Sequence, residues 1–169
     1  LPKEVSFLRG VKMDEKTGEC QPAITAETLM TTKVHCVTAE MKVSEAIGLL
    51  LTHRIRGAPV VDTLRKVISE ITEADLLKLA TKGLNKTVGT CLESLPSFAD
   101  LDTLKRTAPF AHLYREFLTK EINRIIIVDD SARLQGIVSR SDILRVLYRP
   151  KTEPAVAAVA AKPEKKKTA

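Results

Sequence analysis

Residues 122–147 read INRIIIVDDSARLQGIVSRSDILRVL, and this stretch decides the fold. It opens on a β-branched run, Ile125-Ile126-Ile127-Val128, the composition of a buried strand. Asp129-Asp130-Ser131-Ala132 has turn chemistry, and Leu134–Val138 is long enough for a second strand. Ser139-Arg140-Ser141-Asp142 then opens an apolar-periodic helix with a capping residue in front. The spacing predicts strand, turn, strand and capped helix.

The pattern occurs twice. Residues 55–79, IRGAPVVDTLRKVISEITEADLLKL, align with it without a gap at a constant offset of 67 residues, Ile55 to Ile122. Val61 matches Val128, Asp62 matches Asp129, Thr72 matches Ser139 and Asp75 matches Asp142. Upstream, Val43, Ala46, Ile47, Leu50 and Leu51 form the apolar stripe of an amphipathic helix. Their mates Phe110, Leu113, Tyr114, Phe117 and Leu118 form another. Such a repeat is one supersecondary unit present twice. A unit of about 60 residues has little core of its own, so the two are expected to pack on each other.

The order helix, Val-Val-Asp strand, turn, strand and Thr/Ser-x-x-Asp helix start resembles the CBS domain, and two in tandem resemble a CBS pair, or Bateman module. The resemblance rests on Ile55–Asp62 with Thr72–Leu77, and on Ile122–Asp129 with Gly136–Leu144. It implies an α/β fold of two βαββα-like repeats related by a pseudo-twofold, with short sheets face to face and helices outside. Repeat boundaries are expected at residues 25–82 and 83–148, after an N-terminal segment 1–24 and before a tail 149–169. Within them we expect a helical turn at Thr25–Met30, a strand at Lys33–Thr38 and a helix at Ser44–His53. Strands at Ala58–Val61 and Val67–Ile71 and a helix from Glu73 to about Lys82 complete the first repeat. The second is about five residues longer between Leu92 and Phe110, the excess falling around Ser94–Lys105, where Pro96 and Asp100/Asp102 point to a loop or altered first strand. Pro109 fits the first turn of the following helix.

Composition narrows the function classes. The chain has 169 residues and net charge +6, but the tail from Arg149 holds six bases against Glu153 and Glu164, leaving the rest nearly balanced. The basic balance is therefore weak support for nucleic-acid binding by the folded part. No apolar run is long enough to span a bilayer, and the first residues lack the order of a signal peptide, so a soluble, cytoplasmic protein is expected. Cys20, Cys36 and Cys91 are scattered without metal spacing and read as free thiols. Val5, Phe7 and Leu8 read as a short element and Asp14–Gly18 as a turn, while the Pro-, Ala- and Lys-rich tail reads as disordered.

Thr72-x-x-Asp75 and Ser139-x-x-Asp142 each read first as capping boxes worth about 1 kcal/mol. The same geometry suits a nucleotide, because free N–H groups and the dipole at a helix start attract phosphate. The family resemblance implies that Asp75 and Asp142 hold a ribose, with Thr72, Ser139 and Arg140 near phosphates. It also implies that Arg56, Gly57, Ala58 and Pro59, their mates Asn123, Arg124, Ile125 and Ile126, and the early strand with Lys33 and His35 line adenine pockets. Ser139-Arg140 offers a cation where Thr72-Glu73 offers an acid, so the cleft of Asp142 is the expected phosphate site. Ser69-Glu70 stands where the second repeat has Gly136-Ile137, Glu70 falling where a core-facing apolar residue is common in the family. His35, His53 and His112 read as structural or solvated. No nucleophile–base pair, metal cluster or phosphate-binding loop is present, so an enzyme is the least expected reading.

The expected function is thus a regulatory module sensing AMP, ADP, ATP, S-adenosylmethionine or a cyclic dinucleotide, with no obligatory cofactor. It would dimerise with a second copy and signal to an effector in trans. A scaffold with empty clefts and a nucleic-acid-associated protein using the basic tail are the alternatives.

Overall fold

The computed structural model describes residues 24–148. The elements expected around Val5 and Asp14 and the tail lie outside that range. Within it the order is α1 (Ala26–Leu29), β1 (Val37–Thr38), α2 (Val43–His53), β2 (Gly57–Val61), β3 (Val67–Thr72) and α3 (Glu73–Lys82). Short 3-10 helices at Val88–Ser94 and Phe98–Asp100 lead to β4 (Thr103–Leu104), α4 (Phe110–Thr119), β5 (Arg124–Val128), β6 (Leu134–Ser139) and α5 (Arg140–Leu147). Two three-stranded sheets result, ordered β1-β2-β3 and β4-β5-β6. In each the first pair is parallel and the second antiparallel. Both antiparallel pairs slip register at matched places, Val60/Val61 and Ile127/Val128.

The alternation of the strands explains the layers. Ala58, Val60 and Ile71 face α2 and α3 with Val43, Ala46, Leu50, Leu76 and Leu79 in one core. Ile125, Ile127 and Val138 face α4 and α5 with Phe110, Leu113 and Ile143 in a second. A third cluster, Val61, Val67, Ile126, Val128 and Leu134, joins the two sheets. Burying such a side chain fully contributes about 1.5–3 kcal/mol.

The hairpin turns meet on the pseudo-twofold. Asp62 Oδ1 accepts from Leu64 and Lys66 N–H at 2.9 and 2.8 Å, and Asp129 Oδ1 accepts from Ser131 and Arg133 N–H at 2.8 and 2.9 Å. These bonds hold Arg65 and Ala132 in the left-handed region, at φ 61° and 60°. Their carbonyls are turned to the opposite repeat: Val67 N–H donates to Ala132 O at 2.9 Å, and Leu134 N–H donates to Arg65 O at 3.0 Å.

The packed halves exchange their leading segments. α1 joins the second core through Ala26, and Ala26 N–H donates to Ala108 O at 2.8 Å. The 3-10 helix Val88–Ser94 joins the first core through Val88 and Cys91. Its approach supplies acceptors for the start of α2: Val43 N–H donates to Lys86 O and Ser44 N–H to Leu84 O, at 2.9 and 3.0 Å. Phe110 N–H at the start of α4 likewise finds Ile24 O at 2.9 Å. Helix starts otherwise lack such partners.

The exchange corrects the expected strand at Lys33–Thr38. Only Val37 and Thr38 pair with β2, because Thr31 exchanges both its backbone bonds with Ile137 in the other sheet, at 2.8 and 3.0 Å. Residues 32–36 are then crossing the molecule. Pro109 sits one place earlier than expected, as the N-cap of α4. The extra length of the second repeat is taken up by the 3-10 turn at Phe98–Asp100, closed by Ser97 Oγ donating to Asp100 Oδ2 at 2.6 Å, while its first strand is two residues long like β1.

Candidate functional site: two unequal clefts at the helix starts

At α3, Thr72 is the N-cap, and its N–H and Oγ donate to Asp75 Oδ2 at 2.9 and 2.6 Å. At α5, Ser139 does the same toward Asp142 Oδ2, at 2.8 and 2.6 Å. The loops before the central strands close on these starts. Arg56 O accepts from Glu73 N–H at 3.1 Å, and Asn123 O accepts from Arg140 N–H at 3.4 Å. Arg56 with Thr72 and Asp75, and Asn123 with Ser139, Arg140 and Asp142, are therefore brought together. Gly57 and Arg124 open the strands directly opposite Thr72 and Ser139.

Other residues expected at the site divide by strand face. Ala58 and Ile125 point into the two helix-facing cores, which removes their side chains from the clefts. Ile126 lies in the central cluster between the sheets. Pro59 is buried and paired with Glu70 in register. Lys33 and His35 lie on the crossing segment and are exposed. His35 stacks on His53 at the end of α2, ring centroids 3.6 Å apart, so this segment bridges from β6 of one half to α2 of the other.

The crossing segments explain the Ser69/Gly136 difference. A Cβ at Gly136 would meet Met30 Sδ at 2.8 Å and Thr31 O at 2.9 Å, so the passing chain needs glycine there. At Ser69 the chain passes with Pro96 O available, and Ser69 Oγ donates to it at 2.8 Å. A buried hydroxyl is thereby satisfied.

Glu70 does not occupy the core position suggested by sequence. Its neighbours Ser69 and Ile71 take the buried positions of β3, and Glu70 faces the cleft between the halves. Arg124 crosses to it from the second repeat, Nη1 lying 3.1 Å from Glu70 Oε1. Both side chains are largely buried, at 14% and 22% relative exposure. The same guanidinium nitrogen would be 2.7 Å from a Cβ at Gly57. Glycine here therefore admits an arginine of the other repeat to the backbone. Burial pushes the Glu70 carboxyl above its ordinary value; the charge of Arg124 opposes this, and Asp102 and Asp75 reinforce it. Asp102 is held in turn by Lys120 Nζ at 2.7 Å, which also meets Glu116 at 2.8 Å.

The second helix start has a different charge pattern. Asp142 is buried, and its Oδ1 accepts from Arg145 Nη1 at 2.5 Å. The Arg145 side chain is 75% exposed. Arg140 begins the helix and is exposed, where α3 has exposed Glu73. Asp102, Lys120 and Arg145 were not among the residues expected at the site, and Glu70 was expected only as a departure at a core-facing position. Arg145 was findable, three places after Asp142 on a helix. Asp102 and Lys120 come from distant segments and left no local signal. Among the described residues no group of three or more His, Cys, Asp or Glu is placed to hold a metal ion. Among the same residues no helix is long and apolar enough to cross a membrane.

Comparison with known proteins agrees with this architecture. The CBS domain family model matches residues 26–82 and 98–149. Inosine-5′-monophosphate dehydrogenase of Streptococcus pyogenes serotype M3 is 34% identical over 119 residues, 68% of this chain but 22% of the enzyme. The chain thus spans about a fifth of that relative's length. The structure of the CBS domain pair of protein MJ0100 in complex with 5′-methylthioadenosine and S-adenosyl-L-methionine is similar at TM-score 0.61 and 25% identity, covering 75% of this chain and 97% of that one. The structure of CBSX2 in complex with AMP is similar at TM-score 0.64 and 24% identity, covering 74% and 96%. Two matched repeats, the crossed-over sheets and the helix-start carboxylates together show that this chain belongs to the CBS domain family, as a tandem pair.

Proposed function

We propose that the chain is a non-enzymatic regulatory module that binds an adenosine-containing ligand at the Asp142 helix start and signals to a partner protein in trans. The observation that carries this is the combination at α5: a buried carboxylate capping the helix, with Arg140 and Arg145 beside it. A ribose hydroxyl can take Asp142 Oδ1 by displacing Arg145. The exchange keeps the buried carboxylate hydrogen-bonded, and the arginine it releases is already largely in water. The displaced guanidinium and Arg140, beside the positive end of the helix, are then available to an anionic group. The similar pairs of CBSX2 and MJ0100, crystallised with AMP and with adenosyl compounds, support the ligand class.

The module is also proposed to be a cytoplasmic homodimer. Leu51, Leu77, Leu118 and Leu144 are repeat mates on the outer helices, each more than half exposed. Leu51 and Leu77 border an apolar groove of about 340 Å3 between α2 and α3, lined also by Ile47, Leu50 and Leu76. Exposed apolar stripes on four helices fit a self-complementary partner.

The second reading, a scaffold that binds no small molecule, is favoured by one observation: Arg124 and Glu70 already fill space in the first cleft. A thermal-shift series with AMP, ADP, ATP, S-adenosylmethionine and a cyclic dinucleotide separates the two. Ligand at about 100 times its dissociation constant should add about 2.7 kcal/mol. The sensor reading expects that gain with one of these compounds and its loss in Asp142→Ala. No gain with any of them makes the scaffold the account of this protein.

A further inference from the structure

The two clefts differ in a way that selects ligands. In the first, Arg124 donates toward Glu70 across the two repeats at 3.1 Å, and both are largely shielded from water. Asp75 and Asp102 act on the same carboxylate, and Asp102 already has Lys120 at 2.7 Å. A phosphate entering here must strip Arg124 from Glu70 and then lie beside the freed carboxylate. In a shielded site an uncompensated carboxylate next to a second anion is strongly unfavourable. The pseudo-symmetric place has no such pair, because the mate of Glu70 is Ile137 and the mate of Arg124 is Gly57.

We propose that Glu70 is a specificity-determining residue that bars phosphate-bearing ligands from the first cleft by holding Arg124, so that the pair takes an anionic nucleotide only beside Asp142. This rests on the adenosine-ligand reading above and deepens it by making the two clefts chemically distinct. Removing the Glu70 charge leaves Arg124, with its forked donors, free for a phosphate at the start of α3.

The test is equilibrium dialysis of the full chain against radiolabelled AMP. Wild type is compared with Glu70→Gln, with Glu70→Ile, which installs the residue of the other repeat, and with Glu70→Gln/Arg124→Met. Circular dichroism melts show which variants are folded, and two different replacements guard against one that is not. The expected result is one more AMP per chain in the Glu70 variants than in wild type, and a return to the wild-type count in the double variant. An unchanged count in the folded Glu70 variants overturns the proposal, whether wild type binds one AMP or none. An extra AMP that survives Arg124→Met overturns it too. The function reading fails separately, when Asp142→Ala binds as much ligand as wild type.

Discussion

Arg124 begins the central strand of the second repeat, yet its charge is answered by Glu70 of the first, 3.1 Å away across the pseudo-twofold. The contact exists because Gly57, at the start of β2, leaves room for the guanidinium where a side chain would stand. Arg124→Met should therefore destabilise the protein by about 1–3 kcal/mol, between an exposed and a fully buried pair, because it strands a shielded carboxylate. Glu70→Gln should cost less. Urea unfolding of both and of the double variant gives the coupling, and a coupling near zero would show that the pair is incidental.

The same pair makes a signed pH prediction. The Glu70 carboxyl is raised in the folded state, first by burial. The folded protein then holds a proton that the unfolded chain has released, so this group's contribution is fully present below the ordinary carboxyl value and is lost as pH rises through the folded value. Glu116 and Asp129 are shifted the other way, by Lys120 and by backbone donors, and their contributions are lost as pH falls. Total stability mixes these signs. The difference between wild type and Glu70→Gln isolates one of them and should decline from pH 4 toward neutrality in denaturant titrations. A difference that grows with pH contradicts the burial assigned here.

Two glycines should respond in opposite directions to alanine. Gly136 has Met30 and the Thr31 carbonyl within 3 Å of a would-be Cβ, and the carbonyl cannot swing aside without losing the Thr31–Ile137 pairing. Gly136→Ala should cost about 1–3 kcal/mol. Gly48, within α2, has nothing within 4 Å, and Gly48→Ala should stabilise by about 0.5–1 kcal/mol through helix propensity. Thermal melts of the two variants provide the check.

Leu77 is 74% exposed at the rim of the α2–α3 groove. Leu77→Asp should leave the monomer fold intact and shift the mass measured by light scattering from two chains toward one. A wild-type protein that is monomeric throughout the micromolar range would remove the homodimer from the proposed function.

Much of this molecule was legible in the chain because its determinants are local. β-branched runs, Asp-led turns and Thr/Ser-x-x-Asp starts act within a few residues. The two copies repeat them in step, and the observed strands and helices fall within a residue or two of the expected ones. The capping carboxylates were visible for the same reason, since Asp75 and Asp142 act on donors three places away. The first strand was not. Lys33–Thr38 has strand composition, but whether its backbone pairs with β2 or crosses to Ile137 depends on a segment a hundred residues distant.

The sequence by itself determined the repeat and the helix starts with their capping carboxylates, because hydrophobic period and capping chemistry are short-ranged. Only the tertiary structure decided that Glu70 faces a cleft, that Arg124 reaches it and that Gly57 makes room. Those three residues come together through packing of two separately built sheets, and the meeting of their side chains follows from the geometry of that interface.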